Sequence, residues 1–464
     1  MKKMGHKRTL IVAATMMLLV GAAAKTALFP VPSFTLLSAV IDAAATTSDD
    51  CVDYHSSERI IVITCDSTFE QLEEDFNDIS VLEELGNGEY LLSANIEVAD
   101  QVRLTIASPA VTWVKISNEG GDSSQYYILV NGYMDIEGVK VTSWDPDRDS
   151  VVEQDSKGSV PRPYIVYEAA EGGIIENSEL AYIGYDGNIR RGFSLTHESA
   201  NIEIKNSDFH HFWYAFYSNG ARNVTIDGSK FHNNHKYAID PHTGTHDMSI
   251  TNNLVYNNPG SGIICSLDCH NILIENNIVH DNGKNRINFS RNMHDSIVRS
   301  NTIYNSDKGI IITESPNNGV YSNTIYNVSD GFYLTTPTAS DDGLDGLTTE
   351  NRIYNNTVRN ANNGIVVSDA DDNIFSNNTL ENIESYEYFL SDGSEIEIED
   401  QHFTDDEISV ESGTNTVTIS NSGTITVDYN DSEDVDDDNT HDTDVDFYTV
   451  ELSGDETITI ESIN

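Results

Sequence analysis

Basic residues are scarce in this chain. Its 464 residues include 25 Lys and Arg against 76 Asp and Glu, a formal charge of −51. A surface of that sign repels a phosphate backbone and excludes nucleic acid as a partner. Long apolar runs are missing after residue 45, so nothing beyond the N-terminus is able to cross a bilayer. Cysteine is limited to four residues. Cys51 and Cys65 are spaced to close a small loop, and Cys265 and Cys269 either bridge or stay free. A CxxxC pair without a second pair is a weak zinc pattern, and the metal assignment stays open. The leucine pattern of leucine-rich repeats is absent, and the density of Asn, Gly and β-branched residues excludes an all-helical solenoid.

The first 50 residues have the composition of a leader. Lys2, Lys3, Lys7 and Arg8 precede an apolar run from Leu10 to Ala24, and a second run ends in Ala43-Ala44-Ala45. The expectation is an exported protein, secreted or at the cell surface, with a cleaved signal peptide; an uncleaved N-terminal membrane anchor is the alternative. Residues 51–160 are then expected to form an N-terminal cap and entry coils. There Ile60-Ile61-Val62-Ile63 reads as a strand, and Ser67-Thr68-Phe69-Glu70 as a capping box opening a short helix.

Residues 161–385 are repetitive. A ladder of asparagines runs through Asn253, Asn277, Asn301, Asn323, Asn356 and Asn378, with steps of 24, 24, 22, 33 and 22. Ser207 and Ser229 extend it upstream. Each period holds short β-branched runs such as Gly262-Ile263-Ile264, broken by Asn, Gly and Asp. Coils of 22 to 24 residues with an asparagine at a fixed bend predict an all-β fold, a single-stranded right-handed parallel β-helix. Asparagine suits such a bend because it tolerates the left-handed backbone and bonds to its neighbours in adjacent coils. Residues 386–464 read as an acidic, β-rich tail, in which 431–438 is a solvated charge run lacking the glycine and spacing of an EF-hand.

Charge is unevenly spread. From Arg190 to Lys308 there are eleven basic and eleven acidic residues, and ten of the 14 histidines. A near-neutral, histidine-rich segment in an acidic chain fits a groove for an anionic ligand. Within it, His235-Lys236-Tyr237-Ala238-Ile239-Asp240-Pro241-His242 packs four proton-handling side chains into eight residues. Strand alternation turns Ile239 and Pro241 inward, and Ala238, Asp240 and His242 outward. Aligning neighbouring coils predicts one outward column of Ser194, Tyr217, Asp240, Ile264 and Asn288. A second holds Thr196, Asn219, His242, Ser266 and Ser290. Arg286 is expected on the same face, about 10 Å from Asp240 at the usual strand spacing.

Tyr237-Ala238-Ile239-Asp240-Pro241-His242 resembles the Tyr-Gly-x-Asp-Pro-His segment of mannuronan C5-epimerases, with alanine in place of glycine. Ser143-Trp144-Asp145-Pro146, Arg162-Pro163-Tyr164-Ile165, the run from Glu176 to Tyr185 and Gly262-Ile263-Ile264 resemble the same family in the same order. The resemblance implies conversion of mannuronate to guluronate within an anionic polysaccharide. It implies proton transfer by groups at His235, Tyr237 and His242, with Asp240 orienting them, and leaves open which histidine is the base. Where relatives carry a basic residue before Gly-Ile-Ile, this chain has Asn258-Pro259-Gly260-Ser261. Lys236, Arg286 and Arg291 are then the candidates to neutralise the uronate, and Tyr217, Asn219 and Asn288 to line its path. No cofactor is required by the pattern; Ca2+ is compatible with so acidic a surface. A polysaccharide lyase and a non-catalytic glycan-binding β-helix are the alternatives.

Overall fold

A computed structural model of the chain describes residues 51–399, apart from 77, 79, 119–124, 188, 284 and 338–345, and then 407–410, 415–420, 423–430, 445–452 and 457–461. The expected leader and the acidic run at 431–438 lie outside the described residues. The described chain is a parallel β-helix whose coils present three faces. On one, Tyr214–Asn219, Ile239–His242, Ile263–Ser266 and Asn285–Ser290 stack in parallel register. On the second, Asp208–His210, Lys230–His232, Leu254–Tyr256 and Ile278–His280 do so. The third carries Arg222–Asp227, His246–Thr251, His270–Glu275 and Ile297–Arg299. From Thr302–Thr313 onward the first two faces merge into continuous 12-residue strands.

Alternation of side chains drives this closure. Along His246–Thr251, Met248 and Ile250 are buried while Ser249 and Thr251 stay partly exposed. Stacking repeats the inward positions coil after coil, so Ile239, Ile263, Ile287, Ile310 and Phe332 form one fully buried column. Each such side chain contributes about 1.5–3 kcal/mol by leaving water.

The bends need polar satisfaction as well, because their backbone groups are buried with the core. Asn277 illustrates the solution. Its Oδ1 accepts from the backbone N (2.9 Å) and Nδ2 (3.0 Å) of Asn253, and its own Nδ2 donates to the Ile250 carbonyl at 2.8 Å. The pattern repeats at Asn301, Asn323, Asn356 and Asn378. Ser207 and Ser229 continue it upstream as expected. The left-handed conformation falls one residue earlier than the sequence suggests, on Asn252, Asn276, Ser300, Ser322, Asn355 and Asn377. Two further ladders, Asn234–Asn258–Asn282 and Asn318–Asn351–Asn373, guard the other corners.

Parallel stacking extends past both 161 and 385, from Ile60–Ile63 on Asn95–Val98 to Glu395–Glu399 on Thr416–Ser420. The outer coils keep backbone pairing without the asparagine spacing, which is why they do not scan as repeats. Antiparallel partners flank the array: Val52–His55 on Ile60–Ile63 at one end, Thr457–Glu461 on Thr416–Ser420 at the other. The helix Phe69–Phe76 buries Phe69 and Leu72. Its capping box is shifted by one residue: the Thr68 backbone N donates to Gln71 Oε1 at 3.1 Å, while Ser67 bonds back to the Cys65 carbonyl. Cys51 and Cys65 are joined, and Cys265 and Cys269 are buried free thiols. No helix among the described residues is long and apolar enough to cross a membrane.

Candidate active site

The expected register holds around Asp240. Ser194 pairs with Tyr217 and Tyr217 with Asp240; Thr196 pairs with Asn219, Asn219 with His242, and His242 with Ser266. Ile264 continues to Asn288, and Ser266 to Ser290. Ala238 departs from the pattern and joins the core.

Asp240 is only 3% exposed, and burial pushes its carboxyl up to about 7 against the pull of Arg191, Arg291 and Lys236. Its nearest cation is one that alternation did not single out. Arg191 precedes the strand Gly192–Thr196 and reaches across two coils. Its guanidinium lies 4.1 Å from the Tyr217 ring centroid and 4.7 Å from that of Tyr214, with Nη1 4.0 Å from Asp240 Oδ2. Two aromatic faces hold the guanidinium over the carboxyl.

His242 faces a second guanidinium. Arg291, itself in a left-handed conformation, donates from Nη2 to Ser266 Oγ at 2.6 Å and approaches His242 Nε2 at 3.4 Å. Arginine only donates, so Nε2 is the bare nitrogen and Nδ1 carries the proton toward Thr243 Oγ1, 2.6 Å away. Burial, and then Arg291 and Arg191, hold the His242 pKa down at about 4. The imidazole is therefore neutral at physiological pH, with Nε2 available to accept a proton.

Tyr237 stands beside this pair. Its ring meets Tyr214 edge-on at 5.2 Å, and burial, reinforced by Tyr214 and Asp240 against Lys236 and Arg291, raises its hydroxyl pKa. Lys236 Nζ sits over the rings of Tyr214 (5.2 Å), Tyr237 (5.6 Å) and Trp213 (5.8 Å). Asp240, His242, Tyr237, Tyr217, Lys236 and Arg291 thus gather in one strip, joined by Arg191. Asn219 is exposed beside His242, and Asn288 lies two coils further on, half-buried.

Two expected members face elsewhere. His235 sits in the turn before the strand; burial and Arg162 lower its pKa, with Asp155 opposing, and none of these groups acts on Asp240 or His242. Arg286 is 2% exposed and donates to the Asn305 carbonyl, between Asp281 and Asp307. Alternation placed Arg286 on the outer face, but its long side chain is buried against the Asn305 carbonyl instead of lying free on that face. Most of the clustered histidines also serve the scaffold. His210, His232 and His280 join Tyr256, Tyr304 and Tyr326 in one continuous ring stack, and His246, His270 and His294 form another. Among the described residues no group of three or more His, Cys, Asp or Glu is arranged to hold a metal ion.

The family model described as "Right handed beta helix region" matches residues 128–266 and 242–358. Curated relatives are a mannuronan C5-epimerase of Pseudomonas fluorescens, 26% identical over 146 residues (29% of this chain, 27% of that one), and one of Pseudomonas putida, 28% identical over 175 residues (35% and 32%). The chain has the fold of a right-handed β-helix, and over part of its length its sequence is similar to mannuronan C5-epimerases. Among solved structures, that of the periplasmic alginate epimerase AlgG superposes with a TM-score of 0.62 at 22% identity, covering 73% of this chain and 85% of that one, a likeness of fold. The alignments to these two curated relatives span between a quarter and a third of their own length.

Proposed function

We propose that the chain is an exported polyuronate C5-epimerase, converting mannuronate to guluronate residues in an alginate-like polymer. The observation that carries this reading is the convergence of two guanidiniums, Arg191 and Arg291, on a strand bearing a neutral imidazole and a buried carboxyl. A C5 proton is barely acidic, so its removal needs fixed positive charge where the carbanion's electrons collect, inside a site that water screens poorly. The mannuronan C5-epimerase relatives and the periplasmic setting named for AlgG support the substrate class and export.

In this mechanism the uronate carboxylate pairs with Arg291, which turns from His242 and frees Nε2. Nε2 takes the C5 proton, and the C5–H electron pair moves into the carboxylate as an enediolate held by Arg291 and Arg191. The Tyr237 hydroxyl then returns a proton to the opposite face of C5, and the phenolate regains one through solvent from the imidazolium. Asp240 anchors Arg191 and fixes the strand that carries His242. His242 is favoured over His235 as base because only His242 shares guanidinium neighbours with Asp240. Polymannuronate incubated with the protein in deuterated water should gain deuterium at C5 and guluronate in the polymer. No exchange on any polyuronate, with or without calcium, defeats the proposal. An unsaturated, ultraviolet-absorbing product without epimerised polymer shows a lyase instead.

A further inference from the structure

The geometry points to a second, non-catalytic carbohydrate site on the third face of the coils, built for a uronate residue of the same polymer; it rests on reading the chain as a polyuronate enzyme. The site is a groove of 510 Å³ formed where two side-chain columns each lose a member. In one column Ile297, Gly319, Arg352 and Ile374 follow in register; in the other, Arg299, Tyr321, Tyr354 and Ser376. Gly319 and Ser376 are the gaps. Glycine is not demanded by the backbone at 319: its φ is outside the left-handed region, and a Cβ would come no nearer than 3.9 Å to the Tyr321 ring. Its absent side chain is what opens the groove.

The walls have the mixed character that sugars require, an apolar face with a few polar anchors. Ile297, at 40% exposed, is one of the few large hydrophobics that the described residues show to water. Tyr321 and Tyr354 stack at 4.7 Å and 14°, and the stack is fixed from behind by Arg299, which donates to Tyr321 Oη at 3.0 Å and ion-pairs with Glu275. On its other side the register partner of Tyr354 is the small Ser376, which leaves a ring face for the C–H surface of a sugar. Arg352 is exposed and forms no ion pair among the described residues, in a chain of net charge −51. It is positioned for the uronate carboxylate. Glu350 also lines the groove and is placed to accept from sugar hydroxyls. A polymer held here and at Asp240 is bound twice, which raises its effective concentration at the reacting strand.

The test is calorimetric titration of short mannuronate oligomers into the full chain carrying His242→Ala to stop turnover. Two binding events are expected, and Gly319→Leu or Arg352→Glu should each remove one. With His242 intact, the same substitutions should leave C5 exchange on short oligomers unchanged and raise the apparent KM for long polymer roughly tenfold or more. A single binding event insensitive to both substitutions overturns the inference, as does equal binding of neutral gluco-oligomers. Two binding events in a chain that never exchanges C5 protons would uphold this site and sink the epimerase reading alone.

Discussion

His242 and His280 are both half-buried imidazoles on neighbouring faces of the β-helix, in different coils, yet their surroundings differ. His280 lies between Tyr256 and Tyr304 at 5.3 and 4.6 Å, with Nδ1 2.6 Å from Asp281. The hydrogen bond from His280 holds the Asp281 carboxyl below its ordinary range. His242 has a tilted Tyr217 ring at 5.8 Å and guanidiniums where His280 has two stacked rings and a carboxylate. One arrangement settles charge by pairing it locally; the other withholds compensation and leaves a base poised to react. A β-helix makes such neighbours possible because each face is built from its own columns, and a change in one column leaves the register of the next intact.

That contrast breaks if the two faces fail to respond separately. The largest expected effect is on chemistry: His242→Ala should lower C5 exchange roughly 10²–10⁴-fold with little change in urea midpoint, whereas His280→Ala should keep full exchange. Arg291→Ala should reduce kcat/KM by a comparable factor and Arg291→Lys by less, measured on defined oligomannuronates, since lysine keeps the charge and loses the bidentate fork. Equal losses for alanine and lysine would assign recognition to the fork alone.

On the scaffold side, Asn277→Ala leaves the buried Asn253 backbone N–H without its acceptor and should cost about 1–3 kcal/mol in chemical denaturation. Exchange per folded molecule should be unaltered.

Stability against pH sharpens the electrostatics. His242, lowered from 6.5 to about 4, binds its proton more weakly when folded, so its contribution diminishes as pH falls from about 6.5 to about 4. Asp240, raised from 3.8 to about 7, does the reverse, and its contribution diminishes as pH rises through that window. The two slopes oppose each other in the parent chain. Asp240→Asn should unmask stability that rises with pH, and His242→Ala stability that falls, in denaturant titrations from pH 4 to 7; matching slopes in the two variants would contradict the assignment. The same His242 value places the acid limb of kcat/KM near pH 4. The smallest effect belongs to the stacks: Tyr304→Ala should cost about 0.5–1.5 kcal/mol beyond its lost area, with exchange retained.

The coil register was readable from sequence because a strand's two-residue alternation and a constant coil length are both periodic, and periodic constraints add up along a chain. Tyr217 over Asp240 and Asn219 over His242 follow directly. Residues in turns carry no such period. Arg191 precedes its strand and enters the site diagonally, so alternation is silent about it; its place next to Gly192 and a Tyr-rich strand one coil below is the only trace. His235 is also a turn residue, and proximity in sequence to Asp240 did not become proximity of charge. The histidine excess misled for a related reason. A side chain repeated every 22 to 24 residues is first a stacking position, and His210–His232 and His246–His270 have that spacing. The left-handed residue beside each ladder asparagine is likewise one place off, because hydrogen bonding and backbone conformation are divided between the two residues of each Asn-Asn or Ser-Asn pair.

The asparagine ladder has one more consequence. Asn277 serves Asn253, Asn301 serves Asn277, and Asn323 serves Asn301: each amide completes the coil before it. A newly laid coil therefore ends in donors still waiting for acceptors, and only its successor seals it. The array is a growth front with a fixed polarity, and a chain that emerges amino-terminus first delivers the seals in the order in which they are needed.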